Sequence, residues 1–205
     1  MAAPIRRRTR ARELALQFLY TVELRGEEAL PEAAAFIRHH TRRGQDPKGQ
    51  SEIADYAHAL VDGVYEHTNL LNSWIETIAQ NWRLDRMAHI DRNVLRLAIF
   101  ELLFQTDVPF KVVINEAIDI AKRFSTAQSG SFVNGILDRA RVLIQESRER
   151  GEEPPKPIRL SLPRSNSDAQ TQAEDDLPAP VPRPRKGSRP MPPRPSSSDP
   201  KSAQS

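Results

Sequence analysis

Of the 17 prolines in this 205-residue chain, 13 lie from Pro154 onward, and no Phe, Tyr or Trp follows Phe132. Proline breaks helices and removes a ladder hydrogen bond from strands, and a segment without large apolar side chains cannot offset the entropy of ordering it. Residues 148–205 are therefore expected to form a disordered Pro/Ser/Arg-rich tail. The 147 residues before it must supply the core, a length sufficient for one sizeable hydrophobic interior.

Those residues read as helix almost throughout, with no sustained two-residue alternation between turn signals. The expected class is all-α, with seven helices. The first runs from a Thr9 cap to about Arg25. The second opens at Pro31, a favourable first-turn position, and ends near Arg43. After a polar loop at Gly44–Gln50, Ser51 caps a third helix reaching His67. A fourth spans Asn69–Asn81 and a fifth Arg86–Gln105. Asp107-Val108-Pro109 precedes a sixth at Phe110–Phe124, and Gln128–Glu146 forms the seventh. Val94–Phe104 is apolar on nearly every face, so the fifth helix is the expected buried hub. Arg96 within it then needs a buried partner, for which Glu116 is the candidate. Gly135 lies in the Phe132, Ile136, Ala140, Leu143 stripe of the seventh helix. A mid-helix glycine costs on the order of 1 kcal/mol against alanine, which suggests a close approach by a helix or ligand.

Charge is distributed unevenly. Arg6, Arg7, Arg8, Arg10 and Arg12 crowd the first twelve residues with no acid among them, whereas Glu13–Ser147 carries 14 basic and 19 acidic residues. Arginines at a helix amino terminus oppose its dipole and repel one another, so stability alone does not favour them. A polyanionic partner does, nucleic acid first and a membrane surface second. Residues 1–9 are read as a basic flexible arm and 10–147 as the helical domain. On the first helix, Ala11, Leu14, Ala15, Phe18 and Val22 form the core stripe. Tyr20 falls nearly opposite, either packed on another helix or exposed as a stacking group beside the arm.

Catalytic signatures are absent: no HExxH, GxSxG or glycine-rich phosphate loop occurs, and no two histidines are spaced i,i+4. The chain contains no cysteine, which removes disulfides and thiolate metal sites and fits a cytoplasmic protein. No enzyme activity, metal or cofactor is expected. No apolar run is long enough to span a membrane. The arginine-rich start also fits a transit peptide, against which Glu13 and Glu23 inside the segment argue.

Asp107–Phe124, DVPFKVVINEAIDIAKRF, followed by Ser131-Phe132-Val133-Asn134-Gly135-Ile136-Leu137-Asp138, resembles the bacterial transcription antitermination factor NusB family. So do the arginine-rich start with Glu13 and Tyr20, and the Asp91-Arg92-x-x-Leu95-Arg96 segment. The resemblance covers about residues 6–145. It implies two helical sub-bundles and binding of boxA-type RNA in nascent ribosomal RNA transcripts. It further implies action with the ribosomal protein NusE, in an elongation complex with RNA polymerase. By that resemblance the arginine arm holds RNA phosphates, Phe124 and Phe132 lie near the RNA, and Tyr20 and Asp91 lie near the protein partner. Phe132 keeps a competing core role from its stripe. Gln128-Ser129-Gly130-Ser131 departs from a charged Asp-Ser-x-Lys pattern frequent in the family, losing one acid and one lysine. Related helical domains fused to RNA methyltransferases show that fold alone does not settle function; here no catalytic cysteine is present. An alternative reading is a helical scaffold or homodimer whose basic arm binds acidic protein.

Overall fold

The computed structural model describes residues 4–42, 46–79 and 82–152, with side chains from Arg7. Residues 153–205 of the expected 148–205 tail, part of the expected 44–50 loop and the side chain of Arg6 lie outside the described residues. Among the described residues there are seven α-helices and no strand.

Helix α1 spans Pro4–Arg25, beginning five residues before the expected Thr9 cap, so Arg7 and Arg8 stand on the helix and do not precede it. Proline is tolerated in a first turn because its missing N–H would lack an intrahelical partner there. The basic first turn is offset by acids brought in from elsewhere in the chain: Arg7 pairs with Asp46 and Glu52, and Arg8 with Asp107. Gly26, at φ 87°, ends α1 in the left-handed region that glycine adopts without steric cost. A 3-10 turn, Glu27–Glu32, contains Pro31, and α2 follows at Ala33–Thr41. Helix α3, Pro47–Glu66, opens on Pro47 and not on Ser51. The remaining helices are α4 (Thr68–Ile78), α5 (His89–Phe104), α6 (Phe110–Phe124) and α7 (Ser129–Glu149).

Helices α1, α2 and α3 form one sub-bundle and α4 to α7 the other, with α5 packing against α1, α3, α4, α6 and α7. The expectation of a buried central helix holds: twelve of the sixteen residues of α5 are buried. Helix α1 is buried more widely than its predicted stripe. Leu16 and Leu19, outside that stripe, are 1% and 6% exposed because α3 and α5 both cover the helix. Gly135 is exposed and a side chain there would meet nothing within 4 Å, so close helix packing is not its reason. The close approach occurs at Gly63 on α3, where an added Cβ would overlap the Phe100 ring of α5.

Three polar networks tie the helices together. Arg12, only 3% exposed, makes a bidentate pair with Glu101, Nε to Oε2 at 2.8 Å and Nη2 to Oε1 at 2.8 Å. Its Nη1 reaches Glu116 at 3.4 Å, and the Tyr56 hydroxyl donates to Glu101. Burial disfavours the Arg12 cation, but the hydrogen bond and charge of Glu101 reverse that effect. Glu116 is thus engaged by Arg12. Arg96 instead donates to Asn72 Oδ1 at 2.9 Å and Asn93 Oδ1 at 3.1 Å, with Glu23 3.8 Å away. Glu23 is also the acceptor for Arg92 and Asn93. Burial pushes the Glu23 carboxyl up, yet Arg92, His89 and Arg96 together hold it below the usual glutamate range. The third network links Asp91 to α7, where the Ser129 hydroxyl donates to Asp91 Oδ2 at 2.9 Å.

Three outcomes follow for stability. Arg12→Met leaves Glu101 charged, buried and short of a partner, and should cost about 3–5 kcal/mol in denaturant unfolding. Gly63→Ala should cost about 1–3 kcal/mol by overpacking against Phe100. Because its folded-state pKa is depressed, Glu23 contributes stability that is present above its unfolded pKa of about 4.3 and lost as pH falls through the lower folded value. Melting temperatures from pH 6 to pH 3 should therefore fall less steeply for Glu23→Gln than for the wild type.

Candidate nucleic-acid interface

The exposed face at the start of α1 gathers cations from two helices. Arg7 is the most enclosed of the surface set, with its side chain 17% exposed, its Nη2 2.5 Å from Asp46 Oδ2 and its Nη1 2.6 Å from Glu52 Oε2. Arg8 donates to Asp107 Oδ2 at 2.8 Å, and its guanidinium lies 5.0 Å from the centre of the Tyr56 ring. The hydrogen bond from Arg8 holds the Asp107 carboxyl below its usual range. Arg10 donates to Glu13 Oε2 at 3.0 Å. The other oxygen of Glu13 accepts from Arg123 at the end of α6.

Glu13 is buried and both its arginines are accessible, Arg10 at 40% and Arg123 at 67% of their side chains. One enclosed carboxylate thus holds two outward-facing guanidinium groups side by side. Arg123 also lies 5.3 Å from the centre of the Phe124 ring, which joins an aromatic to the pair. The exposed pair of Arg8 with Asp107 is worth about 0–1 kcal/mol, and Arg10 and Arg123 keep accessible guanidinium edges beyond their bonds to the enclosed Glu13. Arg12 does not belong to this surface. It shares the Tyr56 side of α1 with Arg8 but lies one turn further along, where Glu101 of α5 and Glu116 of α6 take its donors; expected as a phosphate contact, it is a buried structural cation.

Phe124 and Phe132 are both half-buried and packed against the core, so each has an inner and an outer face. The centre of the Phe132 ring is 5.3 Å from that of Trp82, whose surface is 57% exposed. The expected contest between core and surface roles for Phe132 resolves into a ring that touches both.

Tyr20 is half-buried, neither free nor enclosed, with its ring edge-on to His89 at 6.3 Å. Asp91, expected on the partner face, is 8% exposed and tied to Ser129, because the first turn of α5 packs under the start of α7. Its Oδ1 has no hydrogen-bond partner among the described residues. Tyr20 therefore remains at the surface beside His89 of α5, while Asp91 ties α5 to α7.

Arg123 and Glu13 as a pair escaped sequence reading. The available signal was the Lys122-Arg123 dipeptide at a helix carboxyl terminus, where cations favour the dipole for structural reasons alone. Among the described residues no group of His, Asp or Glu is placed to hold a metal ion, and no helix is long and apolar enough to cross a membrane.

The NusB family model matches residues 9–141. The transcription antitermination protein NusB of Anaeromyxobacter dehalogenans strain 2CP-1 is 48% identical over 146 residues, covering 71% of this chain and 97% of that protein. The protein of the same name from Thermodesulfovibrio yellowstonii is 38% identical over 136 residues, 65% of this chain and 90% of that one. Among solved structures, T. maritima NusB superposes with a TM-score of 0.58 at 37% identity, covering 69% of this chain and 93% of that chain. A structure of antitermination factors NusB and NusE in complex with dsRNA matches with a TM-score of 0.57 at 28% identity, covering 67% of this chain and 97% of the other. The chain belongs to the NusB family of transcription antitermination proteins, which are not enzymes.

Proposed function

We propose that this protein binds boxA-type RNA in nascent ribosomal RNA transcripts together with NusE. In this reading it acts in the cytoplasm, within the elongation complex, to promote processive transcription by RNA polymerase. The observation that carries the reading is the triad of accessible guanidinium groups, Arg8, Arg10 and Arg123, each held by a carboxylate and bordered by Phe124. Its elements suit a single strand: cations placed to track phosphates, and an aromatic edge on which a base can stack.

The same geometry favours a composite site. Every arginine of the triad already faces an acid, so the phosphate gains only the difference between two ion pairs. The surrounding domain is mildly acidic as well. Affinity from this face alone is modest, and a second protein contributing its own contacts raises it. Tyr20 and His89 offer a surface for that protein where α1 meets the first turn of α5, a turn that Asp91 ties to α7 through Ser129. The solved complex containing NusB, NusE and double-stranded RNA lends this arrangement support by similarity.

Replacing Arg8, Arg10 and Arg123 by alanine should weaken binding of a boxA-like strand. It should also flatten the dependence of log K on log salt by up to about 2, given a slope near 0.7 per phosphate for single strands. Titrations at several salt concentrations, with and without NusE, measure both. Cooperative binding with NusE is expected; unchanged affinity and salt slope in the triple variant would refute the proposal.

A further inference from the structure

We infer that Trp82 is an RNA-stacking residue, forming with Phe132 and Arg86 a second subsite in which one base lies on the indole and an adjoining phosphate meets Arg86. The inference rests on the RNA-binding reading above and extends it to the connection between α4 and α5.

Trp82 is the most exposed aromatic residue among the described residues, at 57%. It does not project alone. Its backbone N–H donates to the carbonyl of Ala79 at 2.8 Å, and its ring meets Phe132 at 5.3 Å with the planes inclined by 59°. An indole held at its backbone and along one side of its ring, and open elsewhere, has little rotamer freedom left to lose on binding. That suits a stacking platform. Two aromatic rings from different elements, a connection before α5 and the first turn of α7, thus meet at the surface.

Cations border the pair. Trp82 lines a cleft of about 890 Å3 together with four arginines, Arg83, Arg86, Arg92 and Arg96, and three acids, Glu23, Glu76 and Asp85. Their availability differs. Arg92 is committed to Glu23 and the Leu84 carbonyl, Arg96 to Asn72 and Asn93, and Arg83 to Asp85. Arg86 is exposed; its backbone N–H donates to the Arg83 carbonyl at 3.0 Å, while its guanidinium makes no side-chain hydrogen bond or ion pair among the described residues and has Asp85 as its neighbouring charge. The first turn of α7, which carries Phe132, contains no acidic residue, so its amino-terminal dipole favours an anion.

The subsite continues the face already described. Helix α6 ends in Arg123 and Phe124, and four residues later α7 begins and presents Phe132. A strand held by Arg10 and Arg123 and passing the start of α7 reaches Trp82 next. An exposed tryptophan near arginine is also what a protein contact uses. The exposed guanidinium of Arg86, free of any side-chain hydrogen bond among the described residues, favours a polyanion over an apolar partner surface.

The chain contains two tryptophans, and the other, Trp74, is 0% exposed, which provides a direct readout. Titrating the full-length protein with a boxA-like strand should quench tryptophan emission, and Trp82→Phe should abolish that quench while keeping most of the affinity. Trp82→Ala should weaken RNA binding at least about fivefold with an unchanged melting temperature. Binding of RNA and of NusE should be measured separately. RNA binding by the wild type without quenching, and unaltered in Trp82→Ala, overturns this subsite and leaves the proposed function standing. Loss of NusE binding alone in Trp82→Ala overturns it in favour of a protein contact. Absence of RNA binding by the wild type overturns both.

Discussion

The buried pair between Arg12 and Glu101 sets the terms for everything around it. Taking both charges out of water is expensive, and the cost is offset only by good geometry and by satisfying the remaining donors and acceptors. Here the guanidinium meets Glu101 in a bidentate fork, Glu116 takes a further donor, and the Tyr56 hydroxyl completes the carboxylate. The four residues come from α1, α5, α6 and α3, so the charges can be buried together only when both sub-bundles are assembled. An apolar contact would tolerate small slips between helices; a bidentate pair does not. The network therefore specifies how α1 lies on α5.

The surface chemistry depends on that placement. Arg8 stands one turn before Arg12 and rests over the outer side of the same Tyr56 whose hydroxyl points into the core. Glu13, the next residue after Arg12, is turned toward α6, where it collects Arg123 alongside Arg10. Within two helical turns α1 thus holds a structural cation, a shared carboxylate and two accessible arginines, Arg8 and Arg10. Carboxylates beside a phosphate site weaken it, but they also keep flexible guanidinium groups at fixed spacing when no ligand is present. That trade favours selectivity for a partner-assisted complex over raw attraction to any polyanion.

What was legible in the sequence follows the range of the interactions involved. Helix α6 was bounded correctly because its start is marked locally by Asp107-Val108-Pro109 and its amphipathic pattern is regular. The buried character of α5 was legible from its unbroken apolar run. Helix α1 began earlier than expected because the acids that stabilise its basic start, Asp46, Glu52 and Asp107, lie 39, 45 and 99 positions away. The same limit hid the division among the arginines. Within a window of twelve residues, Arg12 looks like Arg8 and Arg10, and only Glu101, 89 positions on, separates them. Gly135 attracted attention by sitting in an apolar stripe, whereas the glycine with a packing reason, Gly63, is distinguished only by a phenylalanine on another helix. The shared Glu13 and the Trp82 contact with Phe132 are likewise tertiary facts with no local trace.

Because α1 runs unbroken from Pro4 to Arg25, its ligand-facing end and its core-locked middle are rigidly in phase. Each residue advances an α-helix by about 100°, so one residue added between Arg8 and Arg12 would leave the core register intact and swing the arginines before it roughly a quarter-turn. They would then leave Asp107, Tyr56 and the line toward α6. The direction in which this molecule presents its positive charge is therefore set by counting residues from a buried anchor, in the way a key's teeth are indexed from its shoulder.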